Sequence, residues 1–326
     1  MNTRAMMQTP GKNPSNIAPT LLPAAAGRLV RAASATVLLV GAATAALADA
    51  VDETRDALPN ATIEFSAVAG EFQVVGGDVD RLQISGELGD EVEELRIDGD
   101  ASHWRIEVEI KEHEGGNWSW NRGPSTTLEI TVPRGSTLSA SVVSADLDVR
   151  GLRGARVDAR TVSGNLEVVD TSPTRLTAES VSGDVEIDGG GLETSMIKSV
   201  SGDIEASGLA GRIRVGSVSG DIEMDAIEVS EFSAETVSGD LDVNLQPTAR
   251  ASIEVQSHSG GIDLMLPAGT PIDLDARTFS GDLENHFDSD IEEVREKGMT
   301  VRHGDGSVRV RAQTFSGEFH LRQAGR

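Results

Sequence analysis

The sequence predicts an all-β protein whose main body is a β-solenoid, and three observations predict it. A V-S-G-D-Φ-E-Φ unit (Φ, apolar) recurs along more than half the chain at a nearly constant spacing. Each copy is preceded by a second stretch that also alternates apolar and polar residues. The composition agrees: aromatics are 3 %, Gly numbers 35, Tyr and Cys are absent and the formal charge is -25, which suits a repeat-built, solvent-exposed β protein better than a globular enzyme.

The repeat sets the frame. Its copies are Val143-Ser144-Ala145-Asp146, Val162-Ser163-Gly164-Asn165, Val181-Ser182-Gly183-Asp184, Val200-Ser201-Gly202-Asp203, Val218-Ser219-Gly220-Asp221 and Val237-Ser238-Gly239-Asp240, then His258-Ser259-Gly260-Gly261, Phe279-Ser280-Gly281-Asp282 and Phe315-Ser316-Gly317-Glu318. From Ser144 to Ser280 the serines are separated by 19, 19, 19, 18, 19, 21 and 21 residues, and Ser316 follows after 36. The upstream half reads Φ-x-Ala/Val-x-Ser/Thr, as in Val157-Asp158-Ala159-Arg160-Thr161 and Phe232-Ser233-Ala234-Glu235-Thr236. Period-two alternation makes both halves strands. The phase breaks between Thr161 and Val162, which this reading places together on the inward face through a bend or bulge. Two short strands cannot bury a face alone, so units of about 19 residues must stack as parallel rungs. Leucine-rich repeats, calcium-binding nonapeptides and ice-binding solenoids each fail on spacing or on the charged outward positions.

The elements follow in order. Residues 1–48 read as a secretory signal peptide: Arg4, Lys12, Arg28 and Arg31 without an acidic residue, an uncharged run from Ala32, and a small-residue site at Ala46-Leu47-Ala48. An uncleaved anchor is the alternative, 17 residues being the lower limit for a span. Cleavage is expected to remove four basic residues and no acidic ones, leaving a mature chain with no membrane span. Residues 49–59 are expected as a linker. Residues 60–135 hold alternating segments such as Thr62-Ile63-Glu64-Phe65 and Trp104-Arg105-Ile106-Glu107-Val108, read as degenerate rungs and hairpins that cap the stack. Residues 136–287 are the solenoid repeats. Residues 288–326 are an insertion, with Asp290 to Val294 as a helical turn, and a C-terminal capping rung. Caps are needed because a bare end exposes unpaired backbone groups.

The charge also bears on function, since Asp plus Glu number 53 against 28 Lys plus Arg. That surface repels phosphate backbones and argues against nucleic-acid binding. Without Cys there is no thiol catalysis, cysteine zinc site, iron–sulfur ligation or disulfide. His103, His113, His258, His286, His303 and His320 lack zinc-site spacing. No nucleophile elbow, phosphate loop or dinucleotide fingerprint appears.

The serial S-G-D rungs, preceded by a hairpin region ending in Leu128-Glu129-Ile130-Thr131-Val132-Pro133, resemble bacterial β-strand-repeat envelope proteins known as "putative adhesins", a family of unknown function. The resemblance covers about residues 60–321 and implies fold and location more than mechanism.

Two features are candidate sites. If the rungs stack in register, Asp146, Asp184, Asp203, Asp221, Asp240, Asp282 and Glu318 form an outward column interrupted by Asn165 and Gly261. Asp148, Glu167, Glu186, Glu205, Glu223, Asp242, Asp263 and Glu284 form a second, two residues on. Within this face, Asp184, Glu186, Asp203, Glu205, Asp221, Glu223, Asp240 and Asp242 are the candidates for weak calcium or magnesium binding. The alternative is a solvated face that resists aggregation, with Asp also favouring the turn. No cofactor is otherwise implied. Trp118 and Trp120 share one side of an extended run, suited to stacking on sugars or entering a partner's pocket, or to capping the open end of the core. The inward Ser/Thr column (Thr161, Ser180, Ser199, Ser217, Thr236, Ser257, Thr278, Thr314) reads as hydrogen-bonded core ladders.

The function expected is that of an exported, non-enzymatic envelope module, periplasmic or at the cell surface. It would act as an adhesin-like binder or scaffold for an envelope protein or glycan. An accessory or sensor of an envelope-stress signalling system and a polysaccharide-active β-helix enzyme are the alternatives.

Overall fold

The computed structural model describes residues 49–111, 125–190 and 192–324, and these form strands and connections with no helix. The signal-peptide reading, Trp118 and Trp120 lie outside the described residues. Before the main repeats come β1 (Asp49–Asp56), β2 (Thr62–Gly77), β3 (Arg81–Leu88), β4 (Val92–Asp100), β5 (His103–Ile110) and β6 (Thr127–Pro133). The repeats supply β7 (Thr137–Arg150), β8 (Arg156–Ser163), β9 (Leu166–Thr171), β10 (Arg175–Ser182), β11 (Val185–Gly189), β12 (Thr194–Lys198), β13 (Ile204–Ser219), β14 (Ile222–Ser238) and β15 (Leu241–Ser259). The chain closes with β16 (Ile262–Leu266), β17 (Ile272–Ser280), β18 (Leu283–His286), β19 (Ile291–Arg295), β20 (Gly298–Arg302), β21 (Val308–Ser316) and β22 (Phe319–Gln323).

Equivalent residues of successive repeats pair in parallel: Val157 with Leu176, Ile213 with Phe232, Ile204 with Ile222 and Ile222 with Leu241. Each rung therefore contributes one strand segment to each of two parallel ladders, joined at the V-S-G-D corner. The inward positions of both ladders, among them Leu138, Ala159, Ile213, Ile222 and Leu264, are buried in one continuous core. Stacking is what buries them, because no rung closes over its own apolar face.

The corner corrects one expectation. Thr161 is buried, but Val162 beside it is 44 % exposed, so the two do not share the inward face. The phase break falls one residue later, where Val162 and Ser163 both face outward and Gly164 turns the chain at φ +132. The glycines of this corner stack directly. A Cβ on Gly183 would lie 2.1 Å from the Gly164 carbonyl oxygen, and one on Gly239 would lie 2.2 Å from that of Gly220.

At both ends the spatial order of rungs departs from chain order. β2 is a complete rung, pairing along its length with β7 on one side and with β5 and β6 on the other. The outermost rung here is thus β5 with β6, flanked by antiparallel β4 on β5 and β3 on β6. Residues 49–59 are not simply a linker, because β1 pairs antiparallel with β3. At the other end β21 and β22 insert between β15–β16 and β17–β18. The last strands are therefore interior, and β17–β18 with the hairpin β19–β20 form the end. The helical turn expected at Asp290 to Val294 is instead the edge strand β19, since pairing with β20 across the Glu296-Lys297 turn satisfies its backbone on one side.

Candidate functional site

The V-S-G-D corner places three outward columns side by side. In the first, Val143, Val162, Val181, Val200, Val218 and Val237 are each 44–46 % exposed. The column continues through His258, Phe315 and Phe279, whose rings stack with 4.8 Å between successive centroids. Lys297 lies 4.4 Å over the Phe279 ring and donates a hydrogen bond to the Phe279 carbonyl at 2.6 Å. Beside the valines runs an exposed column of paired serines, Ser144 with Ser163, Ser163 with Ser182, and so on to Ser316 with Ser280. The aspartates of the repeat form the third.

That third column has a structural duty. The backbone N–H of Asp203 donates to Asp184 Oδ1 at 3.0 Å, that of Asp221 to Asp203 Oδ1 at 2.9 Å and that of Asp240 to Asp221 Oδ1 at 2.8 Å. Asn165 takes part in the same way, donating to Asp146 and accepting from Asp184. Each side chain caps the same position one rung along, using one oxygen. Replacing Asp203, Asp221 and Asp240 together by Asn should therefore preserve the ladder, as Asn165 does, while relieving like-charge repulsion. Thermal melting at low salt should show equal or higher stability than the parent, and a collapse of stability would contradict the assignment. The same melts should show no calcium or magnesium advantage over sodium at matched ionic strength; a divalent gain lost in the triple variant would establish a cation site instead.

The second acidic column is in register from Asp148 through Glu167, Glu186, Glu205, Glu223 and Asp242 to Asp263. The inserted final rung then places His320 between Asp263 and Glu284, a juxtaposition hidden from the repeat pattern. Arg322 pairs with Asp263 at 2.8 Å, and His320 lies 3.6 Å from Asp263, 3.6 Å from Glu318 and 3.8 Å from Glu284. A notch of about 540 Å³ opens here, lined among others by Asp242, Gly261, Asp263, His320 and Arg322. Burial, then the negative charge of Asp263, push the Asp242 carboxyl above its ordinary range, with Arg322 acting against both. Among the described residues no three or more His, Asp or Glu are grouped to hold a metal ion.

The inward Ser/Thr column is buried as expected, but it does not form the continuous hydrogen-bonded ladder that was expected. Ser180 donates to the Gly183 carbonyl at 3.0 Å and Thr161 to that of Ala145 at 3.4 Å. The hydroxyls of Ser199, Ser217, Thr236, Ser257, Thr278 and Thr314 have no partner within the described protein. Trp104, by contrast, is a core residue whose indole N–H donates to the Asp56 carbonyl.

The Toastrack DUF4097 family model matches residues 101–266 and 227–322. A "putative lipid binding protein" from Parabacteroides distasonis shares the fold at TM-score 0.51 with 11 % identity, covering 85 % of this chain and 97 % of that one. A "putative adhesin" from the same organism aligns at TM-score 0.47 and 10 % identity over 85 % and 98 %. Another from Parabacteroides merdae aligns at 0.39 and 12 % over 86 % and 97 %. No curated protein matches the sequence. Among the described residues no helix is long and apolar enough to cross a membrane.

Proposed function

The chain belongs to the Toastrack DUF4097 family of adhesin-like proteins of unknown function, and from that premise we infer that it is an exported, non-enzymatic β-solenoid of the bacterial cell envelope, built on rungs of about 19 residues and acting as a binding or scaffold module. The observation that carries this reading is the valine column. Eight of the large apolar side chains that remain exposed (six valines, Phe315 and Phe279) fall in that single line, whereas scattered exposed apolar residues would need no explanation. A long, flat, shallow edge of this kind suits contact with an extended macromolecular surface better than enclosure of a small substrate. The acidic columns on the same corner keep that edge soluble and repel other copies of the chain.

The test is loss of binding without loss of fold. Val181, Val200 and Val218 replaced together by Thr keep shape and β propensity while removing apolar surface. Immobilised triple variant should retain less envelope material from extract than the parent, with melting temperatures within a few degrees. Equal retention by both proteins would contradict a binding role for this edge.

A further inference from the structure

The chemistry of the edge narrows what it binds, granted the binding-module reading. None of Asp184, Asp203, Asp221 or Asp240 forms an ion pair among the described residues, although the structure pairs carboxylates with arginines elsewhere, as in Arg160 with Glu179 and Arg212 with Glu231. Their negative charge faces solvent three residues along from each exposed valine. An apolar row and an uncompensated acidic row thus run parallel, one step per rung, along the middle of the stack.

Spacing favours one kind of partner. Rungs are about 4.8 Å apart and a helix turn rises about 5.4 Å, so a helix laid along the column drifts by only about 2 Å over four turns. An extended strand presents same-face side chains roughly every 6.7 Å and loses register within two rungs. We propose that this edge docks a basic amphipathic α-helix of a partner protein, its apolar stripe on the valines and its Lys or Arg residues on the aspartates. Charge complementarity sets the orientation and speeds encounter, so binding must weaken with salt. The valine contacts must distinguish an amphipathic helix from a merely basic chain.

The probe is an 18-residue Leu/Lys peptide patterned as an amphipathic helix, titrated by fluorescence anisotropy against the purified full chain. A scrambled peptide of identical composition and a Leu/Glu counterpart serve as controls. The patterned peptide should bind at least tenfold more tightly than the scrambled one, weaken as sodium chloride rises, and exceed the Leu/Glu peptide by more. Val181→Thr, Val200→Thr and Val218→Thr together should cost about tenfold, and so should Asp203→Asn, Asp221→Asn and Asp240→Asn. Equal binding of patterned and scrambled peptides, or indifference to the Val→Thr changes, would overturn the proposal. If the Val→Thr protein still loses retention of envelope material in that case, the edge binds something other than a basic helix. If retention is also unchanged, the binding-module reading falls with it.

Discussion

Ile222→Asp is expected to destabilise the middle of the solenoid by more than about 4 kcal/mol, since it buries a carboxylate with no partner in an apolar layer. Ile222 is 1 % exposed and pairs in register with Ile204 on one rung and Leu241 on the next. The charge would therefore sit between two apolar neighbours and disrupt two rung interfaces at once. Stability in a stacked array is close to a sum over neighbouring units, so the loss should appear locally before it spreads. Amide exchange in β13, β14 and β15 should accelerate well before that in β2 and β7. Unchanged melting and exchange would mean that this column does not face the core.

Gly239→Ala should cost on the order of 2–5 kcal/mol, combining backbone strain with a steric clash that relaxation only partly removes. Gly239 has φ +152, where an L side chain is strained. Its new Cβ would also meet the Gly220 carbonyl oxygen, an atom of backbone that cannot swing away. Gly216→Ala is the matched control. Gly216 lies in the same stack, takes no positive φ, and its Cβ would approach nothing nearer than 3.6 Å. Thermal melts should separate the two substitutions clearly. Similar, small effects from both would show that the corner is looser than the stacked glycines imply.

Most of the architecture was legible because one residue pattern serves both local and stacked structure. Period-two alternation set the strands, and constant spacing set the register, which pairs Glu186 with Glu205 and Glu205 with Glu223 as the columns require. Three features escaped for separate physical reasons. Val162 is apolar and lies next to an inward Thr, so hydropathy alone draws it inside; only the corner geometry turns it out. Val68-Ala69-Gly70-Glu71-Phe72-Gln73-Val74 is a further copy of the repeat in which Ala, Glu and Gln replace Ser, Asp and Glu. Its signal was the Gly at φ +138 and the alternation beyond it. The spatial order of the end rungs has no local signature, because every rung offers the same parallel edges; the 36-residue gap before Ser316 was its one trace. The capping role assigned to the last strands accordingly belongs to β17–β20. Of the candidate sites, the acidic residues stack in register as the repeat spacing requires, but the backbone-capping duty of the Asp184–Asp240 column depends on Oδ1 geometry that no sequence displays. The exposed valine column was missed for the same reason as Val162.

Site-specific photo-crosslinking shows whether the valine edge is the surface that partners touch. A benzoylphenylalanine is placed at Val200, in the exposed column, and in a second protein at Glu254, which is exposed on the outer side of the upstream ladder. Irradiated in envelope extract, the Val200 protein should form a discrete crosslinked species that the Glu254 protein does not, and excess unmodified chain should compete it away. Crosslinking of equal yield at both positions, or at Glu254 alone, would contradict the assignment of the valine edge as the binding surface.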